Sequence, residues 1–156
     1  TVFHFEIKAD ILTDAEIDVL NKMPDGYIQF EIGVQTIKKE SMASINRFNN
    51  LEKLTGNIKK LKKGINRHID LIAGLPYEGY NEFKESFNYV YSLEPDDIQL
   101  GFLKILSGTK IEKEIGTHFY KYLDFPPYEV LENKYIGFRE IIKLKKIEEG
   151  VESYYN

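Results

Sequence analysis

The sequence predicts an α/β fold of about four parallel strands with crossover helices, followed by a C-terminal helical extension. Three observations predict it. Short runs rich in β-branched and aromatic residues alternate with amphipathic stretches. The run centres Phe5, Ile32, Leu71 and Leu100 recur roughly every 30 residues, the size of one strand–helix unit. The segments between them are long enough to cross over, and such crossovers join parallel strands with a right hand.

Val2–Ile7 reads as the first strand. Thr13-Asp14-Ala15-Glu16 then has a capping-box pattern, in which the Thr hydroxyl and the Glu carboxylate satisfy each other's backbone N–H groups. Ile17, Leu20 and Met23 supply the apolar stripe of that helix, and Pro24-Asp25-Gly26 turns it off. Tyr27–Gln35 is the second strand. Ile37–Arg47 and Leu51–Lys63 read as helical segments parted by Asn49-Asn50, with Gly64 as the stop. His68–Leu75 is the third strand. Asn81 is placed to cap the next helix, where Phe83, Phe87, Val90 and Tyr91 share a face. Ile98–Ile105 is the fourth strand, and a short helix covers Lys110–Gly116. Tyr122–Tyr128 reads as irregular, and Glu132–Tyr154 as a helix with Tyr135, Phe138, Ile141, Ile142 and Leu144 on its apolar side. Residues 1–121 form the strand–helix part and 122–156 the irregular loop and helical extension.

Composition narrows the functional classes. The chain has 156 residues, 42% of them hydrophobic and 29% charged, with a formal net charge of −4. That length buries a core, and the charge supplies no electrostatic case for nucleic acid. No apolar run reaches the ~20 residues of a membrane span, and no secretory signal opens the chain, so a cytoplasmic location is expected. There is no cysteine, which excludes a disulfide scaffold, a cysteine nucleophile and iron–sulfur ligation by this chain alone. The three histidines lack metal-ligand spacing, and Lys59–Lys63 reads as a solvated helix face. Residue 1 is Thr and leads straight into a strand, so the chain is expected to be a piece of a longer protein.

Strand parity locates the chemistry. Alternation puts Phe3, Phe5 and Ile7 on one face and His4 and Glu6 on the other. The second strand opposes Phe30, Ile32 and Val34 to Glu31, Gly33 and Gln35. The third opposes Ile69, Leu71 and Ala73 to His68, Asp70 and Ile72. A parallel sheet covered on both sides would be apolar throughout. A polar face recurring on neighbouring strands indicates a wet or ligand-filled side, such as a barrel mouth, and Gly33 leaves room there for close approach.

These residues follow one another in the order Glu6, Phe30-Glu31-Ile32-Gly33-Val34-Gln35-Thr36, Ile45-Asn46-Arg47, then His68 through Gly74-Leu75-Pro76. The set resembles the C-terminal part of a radical S-adenosylmethionine barrel. It is similar to the branch of oxygen-independent coproporphyrinogen oxidase and the cobalamin-domain enzymes of the anaerobic magnesium-protoporphyrin monomethyl ester cyclase type. The tail from Pro126 to Asn156 resembles the C-terminal extension of a cobalamin-domain radical subgroup.

The resemblance implies a partial (β/α) barrel and five cofactor contacts. Glu6 matches the acidic residue that accepts from the S-adenosylmethionine ribose or amino group. Gln35 and Arg47 match positions that hold the ribose and the methionine carboxylate, and a guanidinium suits a carboxylate bidentately. Asp70 matches a further polar contact, and Lys104 a backbone contact beside the adenine. Glu6, Asp70, Gln35 and Arg47 each have a plainer reading: Glu6 and Asp70 as barrel-interior carboxylates paired to a base, Gln35 as a strand-end amide, Arg47 as a helix-end cation. No catalytic residue and no metal ligand is assigned in this chain. The family's [4Fe–4S] cluster needs three cysteines that this chain lacks, so the expectation is an inactive fragment that awaits the N-terminal half of its barrel. Radical-initiated oxidation or methyl transfer on a small-molecule substrate, with cobalamin on a missing N-terminal domain, is the activity implied for the whole protein. The rival reading is a complete, non-catalytic, flavodoxin-like binding or interaction domain.

Overall fold

The computed structural model describes residues 1–156. Four parallel strands, β1 (Phe3–Ile7), β2 (Ile28–Gln35), β3 (Asn66–Ala73) and β4 (Asp97–Phe102), lie side by side in chain order. That order discriminates between the two readings. A doubly wound sheet reverses direction at a switch point and so puts helices on both faces. Here each crossover moves the same way, and a constant right hand then places every helix on one face.

The core confirms this. Ile28, Phe30, Ile32, Val34, Ile69, Leu71, Ala73, Ile98 and Leu100 all have one parity, and all are buried. They pack with Ile17 of α1 (Asp14–Leu20), Leu54 and Ile58 of α3 (Leu51–Lys60), Phe83 and Val90 of α4 (Tyr80–Tyr91), and Ile141 and Leu144 of α7 (Phe138–Tyr154). The opposite face carries no helix packed in this core. The architecture is a partial barrel with a C-terminal helix.

Several boundaries differ from expectation for identifiable reasons. The first cap forms as expected: Thr13 Oγ1 accepts from Glu16 N at 3.3 Å and Glu16 Oε2 from Thr13 N at 2.8 Å. The following helical stretch is shorter, with α2 covering Lys39–Ser44, because Asn46 adopts a left-handed φ of 53°. Helix α3 stops at Lys60, and Gly64 sits in a turn where a Cβ would strike Asp25, so it is not the stop. Asn81 does not cap α4. Gly79 does, its N–H donating to Glu82 Oε2 at 3.2 Å. The stretch read as irregular, Tyr122–Tyr128, has no regular structure from 123 to 128 and joins the strands of an unforeseen antiparallel ribbon, β5 (Lys121–Tyr122) with β6 (Val130–Glu132). Two short turns, α5 (Lys110–Lys113) and α6 (Ile115–His118), precede it, and Ile105, Ile111, Tyr120 and Val130 form a small second core beneath them. Helix α7 starts at Phe138, later than expected. Its buried stripe is Ile141, Leu144 and Val151, while Phe138 and Ile142 face outward.

Candidate functional site

The strand register stacks the uncovered face into layers. Glu6 of β1 pairs with Glu31 of β2, which pairs with His68 of β3. The next layer toward the C-terminal strand ends is Gly33, Asp70 and Gln99, and the next contains Ile72 and Gly101. Layered inward side chains are what a barrel interior presents, and ligands collect at its C-terminal end. A cleft of about 430 Å³ lies at that end, walled by Gln35, Asp70, Ile72, Gln99, Gly101 and Lys104 among others.

Gly33 organises the layer. A Cβ there would collide with Gln35 Nε2 and come within 2.7 Å of Arg47 Nη2, so both side chains fold over the space this glycine leaves free. Gln35 is the last residue of β2 and sits at a register break, where Gly33 pairs with Asp70 but Gln35 pairs with Leu71. Its φ is 66°, and Thr36 N donates to Val34 O at 2.8 Å, closing a three-residue turn around it. Simple alternation places Gln35 on the polar face. The chain gets it there by this turn.

Two polar atoms here are buried without a hydrogen bond: Gln35 Oε1 and Asp70 Oδ1. His68 Nε2 lies 3.2 Å from Asp70 Oδ1, but its hydrogen bond joins it to Gln99 Oε1 at 3.0 Å. Burial raises the Asp70 carboxyl above its ordinary range, and the Glu31 and Glu6 charges push the same way, while His68 and Arg47 oppose them. Unmatched acceptors in a buried layer are costly unless something outside the chain satisfies them.

The five residues named from the sequence therefore have different placements. Gln35, Asp70 and Lys104 line the cleft. Arg47 reaches over Gly33 from the loop after α2 and adds positive charge beside Asp70. Glu6 is exposed on the edge strand, one layer away from the cleft but close enough to influence Asp70. The Lys104 side chain is exposed, and its backbone bridges to Glu129. Sequence reasoning left Glu31, His68 and Gln99 out of the site residues, although parity had already put Glu31 and His68 on this face.

It also missed Glu78, which lies in the loop after β3 and is only 1% exposed. Its Oε1 accepts from Thr36 Oγ1 at 2.6 Å and from Ser86 Oγ at 3.0 Å, and its Oε2 has no partner. Burial pushes its carboxyl up to about 7. No periodicity signal marks a charged residue in a loop as buried.

The donor set suits an S-adenosyl compound: a guanidinium for a carboxylate, an amide and a carboxylate with free acceptors for an amine or ribose hydroxyls, and a glycine cradle. It does not suit an iron–sulfur cluster, because the chain has no cysteine to supply thiolates.

Residues 116–156 match the family described as "Protein of unknown function (DUF4080)". An uncharacterized protein of Methanocaldococcus jannaschii is 29% identical over 133 residues, covering 83% of this chain and 39% of its own length. The oxygen-independent coproporphyrinogen-III oxidase-like protein HemZ of Bacillus subtilis is 28% identical over 116 residues, covering 73% of this chain and 22% of its own. The chain thus spans well under half the length of either relative. Among solved structures, coproporphyrinogen III oxidase (HemN) of Escherichia coli, a radical SAM enzyme, superposes with a TM-score of 0.56 at 24% identity, over 64% of this chain and 23% of that one. The radical S-adenosylmethionine methyltransferase TsrM of Kitasatospora setae, solved with cobalamin and a [4Fe-4S] cluster, gives 0.64 at 11% identity, over 79% of this chain and 26% of that one. By fold the chain is similar to these radical S-adenosylmethionine enzymes, and over 73% of its length its sequence is similar to the oxygen-independent coproporphyrinogen-III oxidase-like protein HemZ.

Proposed function

We propose that this chain is the cofactor-cradling part of a radical S-adenosylmethionine enzyme, and that the cleft at the C-terminal ends of β2, β3 and β4 holds the S-adenosyl group. The observation that carries the reading is the convergence of Gln35 and Arg47 over Gly33, beside the unpaired Gln35 Oε1 and Asp70 Oδ1. In this reading Arg47 holds the methionine carboxylate, and Gln35 and Asp70 accept from the ribose hydroxyls or the amine. Glu6 adds negative charge toward the cationic end, and the backbone at Lys104 borders the adenine. The bound cofactor supplies a carbon-centred radical only when a reduced cluster is present, and the cluster ligands belong to a part of the protein beyond this chain. Alone, the chain binds and orients without turning over.

Likeness to a coproporphyrinogen oxidase-like relative and to a cobalamin-containing methyltransferase supports radical-initiated oxidation or methyl transfer on a small molecule. Within that class, a cyclase acting on a magnesium-protoporphyrin ester is the specific activity proposed. Cobalamin is assigned to a domain outside this chain.

S-adenosylhomocysteine binding to this chain, followed by chemical-shift changes of the Gln35 amide, tests the cradle. Arg47→Ala is expected to weaken it about tenfold, the worth of one charge-assisted pair. Gly33→Ala is expected to weaken it comparably while leaving the fold intact, because the displaced atoms are the ends of flexible side chains. Binding that ignores both substitutions overturns the reading.

A further inference from the structure

We infer that Glu78 is a positioning residue: through the hydroxyls of Thr36 and Ser86 it fastens the strained turn that aims Gln35 into the cleft. The inference rests on the proposed cofactor site, since the aim of Gln35 has a function only if a ligand is there.

A glutamine at φ 66° in a three-residue turn is a sparsely populated conformation. Such strain persists only where the surroundings over-determine it. The surroundings here are specific. Thr36 N donates to Val34 O at 2.8 Å, Ile37 N to Ser86 Oγ at 3.1 Å, and Lys38 N to Thr36 Oγ1 at 3.0 Å. Three successive amides are thus held, two of them by hydroxyl oxygens. A hydroxyl has one proton, and its direction decides which lone pairs remain for accepting. Both hydroxyl protons point to Glu78 Oε1, at 2.6 Å from Thr36 and 3.0 Å from Ser86. One acceptor atom in the loop after β3 therefore orients two hydroxyls, which hold the Ile37 and Lys38 amides just beyond the turn.

Thr36 and Ser86 are fully buried, so water cannot replace that acceptor. A hydroxyl proton with no target would turn toward one of the neighbouring oxygens and give up its amide. Glu78 Oε2, by contrast, has no partner in the chain, so the network needs one carbonyl-type oxygen rather than a charge. The charged groups acting on the carboxyl are Lys38 and Glu82, which pull in opposite directions and pair with each other at 3.3 Å. A glutamine at position 78 presents the same acceptor oxygen and is the conservative replacement; a leucine fills the volume and removes it.

The test is carried out on the whole chain. Glu78→Leu is expected to speed hydrogen exchange of the residue 37 and 38 amides at least tenfold and to weaken S-adenosylhomocysteine at least fivefold. Glu78→Gln is expected to stay within twofold of the parent on both measures, a rescue that simple filling of the site does not predict. If Glu78→Leu does not fold, Thr36→Val, which removes one hydroxyl at constant volume, takes its place with the same expected changes. Unchanged exchange in a folded Glu78→Leu, or a Glu78→Gln as impaired as the leucine variant, overturns the inference. Gln35→Ala separates this inference from the reading beneath it. Unchanged affinity in Gln35→Ala removes the cofactor site. Lost affinity in Gln35→Ala with unchanged exchange in Glu78→Leu removes only Glu78.

Discussion

Glu78 shows how a single buried side chain couples pH to the fold. Its carboxyl stands at about 7 in the folded chain against an ordinary 4.5, and burial is the cause. The fold therefore favours the neutral acid. The associated stability is fully present below pH 4.5, declines as pH rises, and is lost above about 7. The raised value corresponds to roughly 3 kcal/mol across that window. Glu78→Gln, which is neutral at every pH, is expected to be about as stable as the parent at pH 5 and more stable at pH 8 by up to that amount. Urea unfolding at the two pH values measures it; parallel losses in both proteins would show that the slope arises elsewhere. The same residue marks a limit of reading from sequence. A Glu between Tyr77 and Gly79 looks like a solvated loop residue, and only the three-dimensional meeting of Thr36 and Ser86, 42 and 8 residues away, makes it interior.

At the scale of elements, the strands were legible because alternation has a physical cause: one face must be apolar where helices cover it. Ile69, Leu71 and Ala73 against His68, Asp70 and Ile72 is such a pattern, and the burial along β3 follows it. What was not legible depends on contacts distant in sequence. The β5–β6 ribbon has strands of two and three residues, too short for any period to register. The turn at Gln35 leaves no trace in hydropathy. Asn57 is a third case, a polar residue mid-helix whose purpose appears only in the fold. Its Nδ2 donates to Ala9 O at 2.8 Å and to Leu12 O at 2.9 Å, so α3 clamps the turn between β1 and α1. Asn57→Ala removes both bonds, leaving Ala9 O with only the Leu12 N–H at 3.4 Å, beside a small void, and is expected to cost about 2 kcal/mol. It should also raise exchange in residues 9–12 before global unfolding. A loss spread evenly over the chain, with no local change there, would contradict the clamp.

For the molecule as a whole, the two edges of the sheet are unequal. Beyond β4, the Asn156 side chain accepts from Ile98 N at 3.0 Å and donates to Ile98 O at 3.1 Å, while Tyr155 donates to Pro95 O at 2.6 Å. At Ile98 the Asn156 side chain thus takes the place of a neighbouring strand, and α7 packs alongside. Strand β1 has no such cover. It pairs only with β2, and its Phe3 and Phe5 are 49% and 46% exposed beside an apolar groove of about 520 Å³ that includes Ile7, Val19 and Leu20. An uncovered parallel strand with aromatic side chains is a template for another strand, from a longer chain or from a second molecule. This chain is therefore expected to self-associate through β1 as its concentration rises. A Lys in place of Phe3 puts a charge on that edge without touching the cleft, and Phe3→Lys should shift sedimentation toward the monomer while S-adenosylhomocysteine binding stays unchanged. Because Asn156 already covers the other edge, Asn156→Ala should add a second mode of association instead of removing the first. A parent chain that sediments as a monomer at every concentration, or a Phe3→Lys variant that associates equally well, would show that β1 is not the sticky edge. The contrast between the edges has a direct bearing on the cleft. The open edge of β1 lies next to the layer of Glu6 and Glu31, one layer from the cleft, so under the proposed reading a strand added beside β1 would border the ligand site.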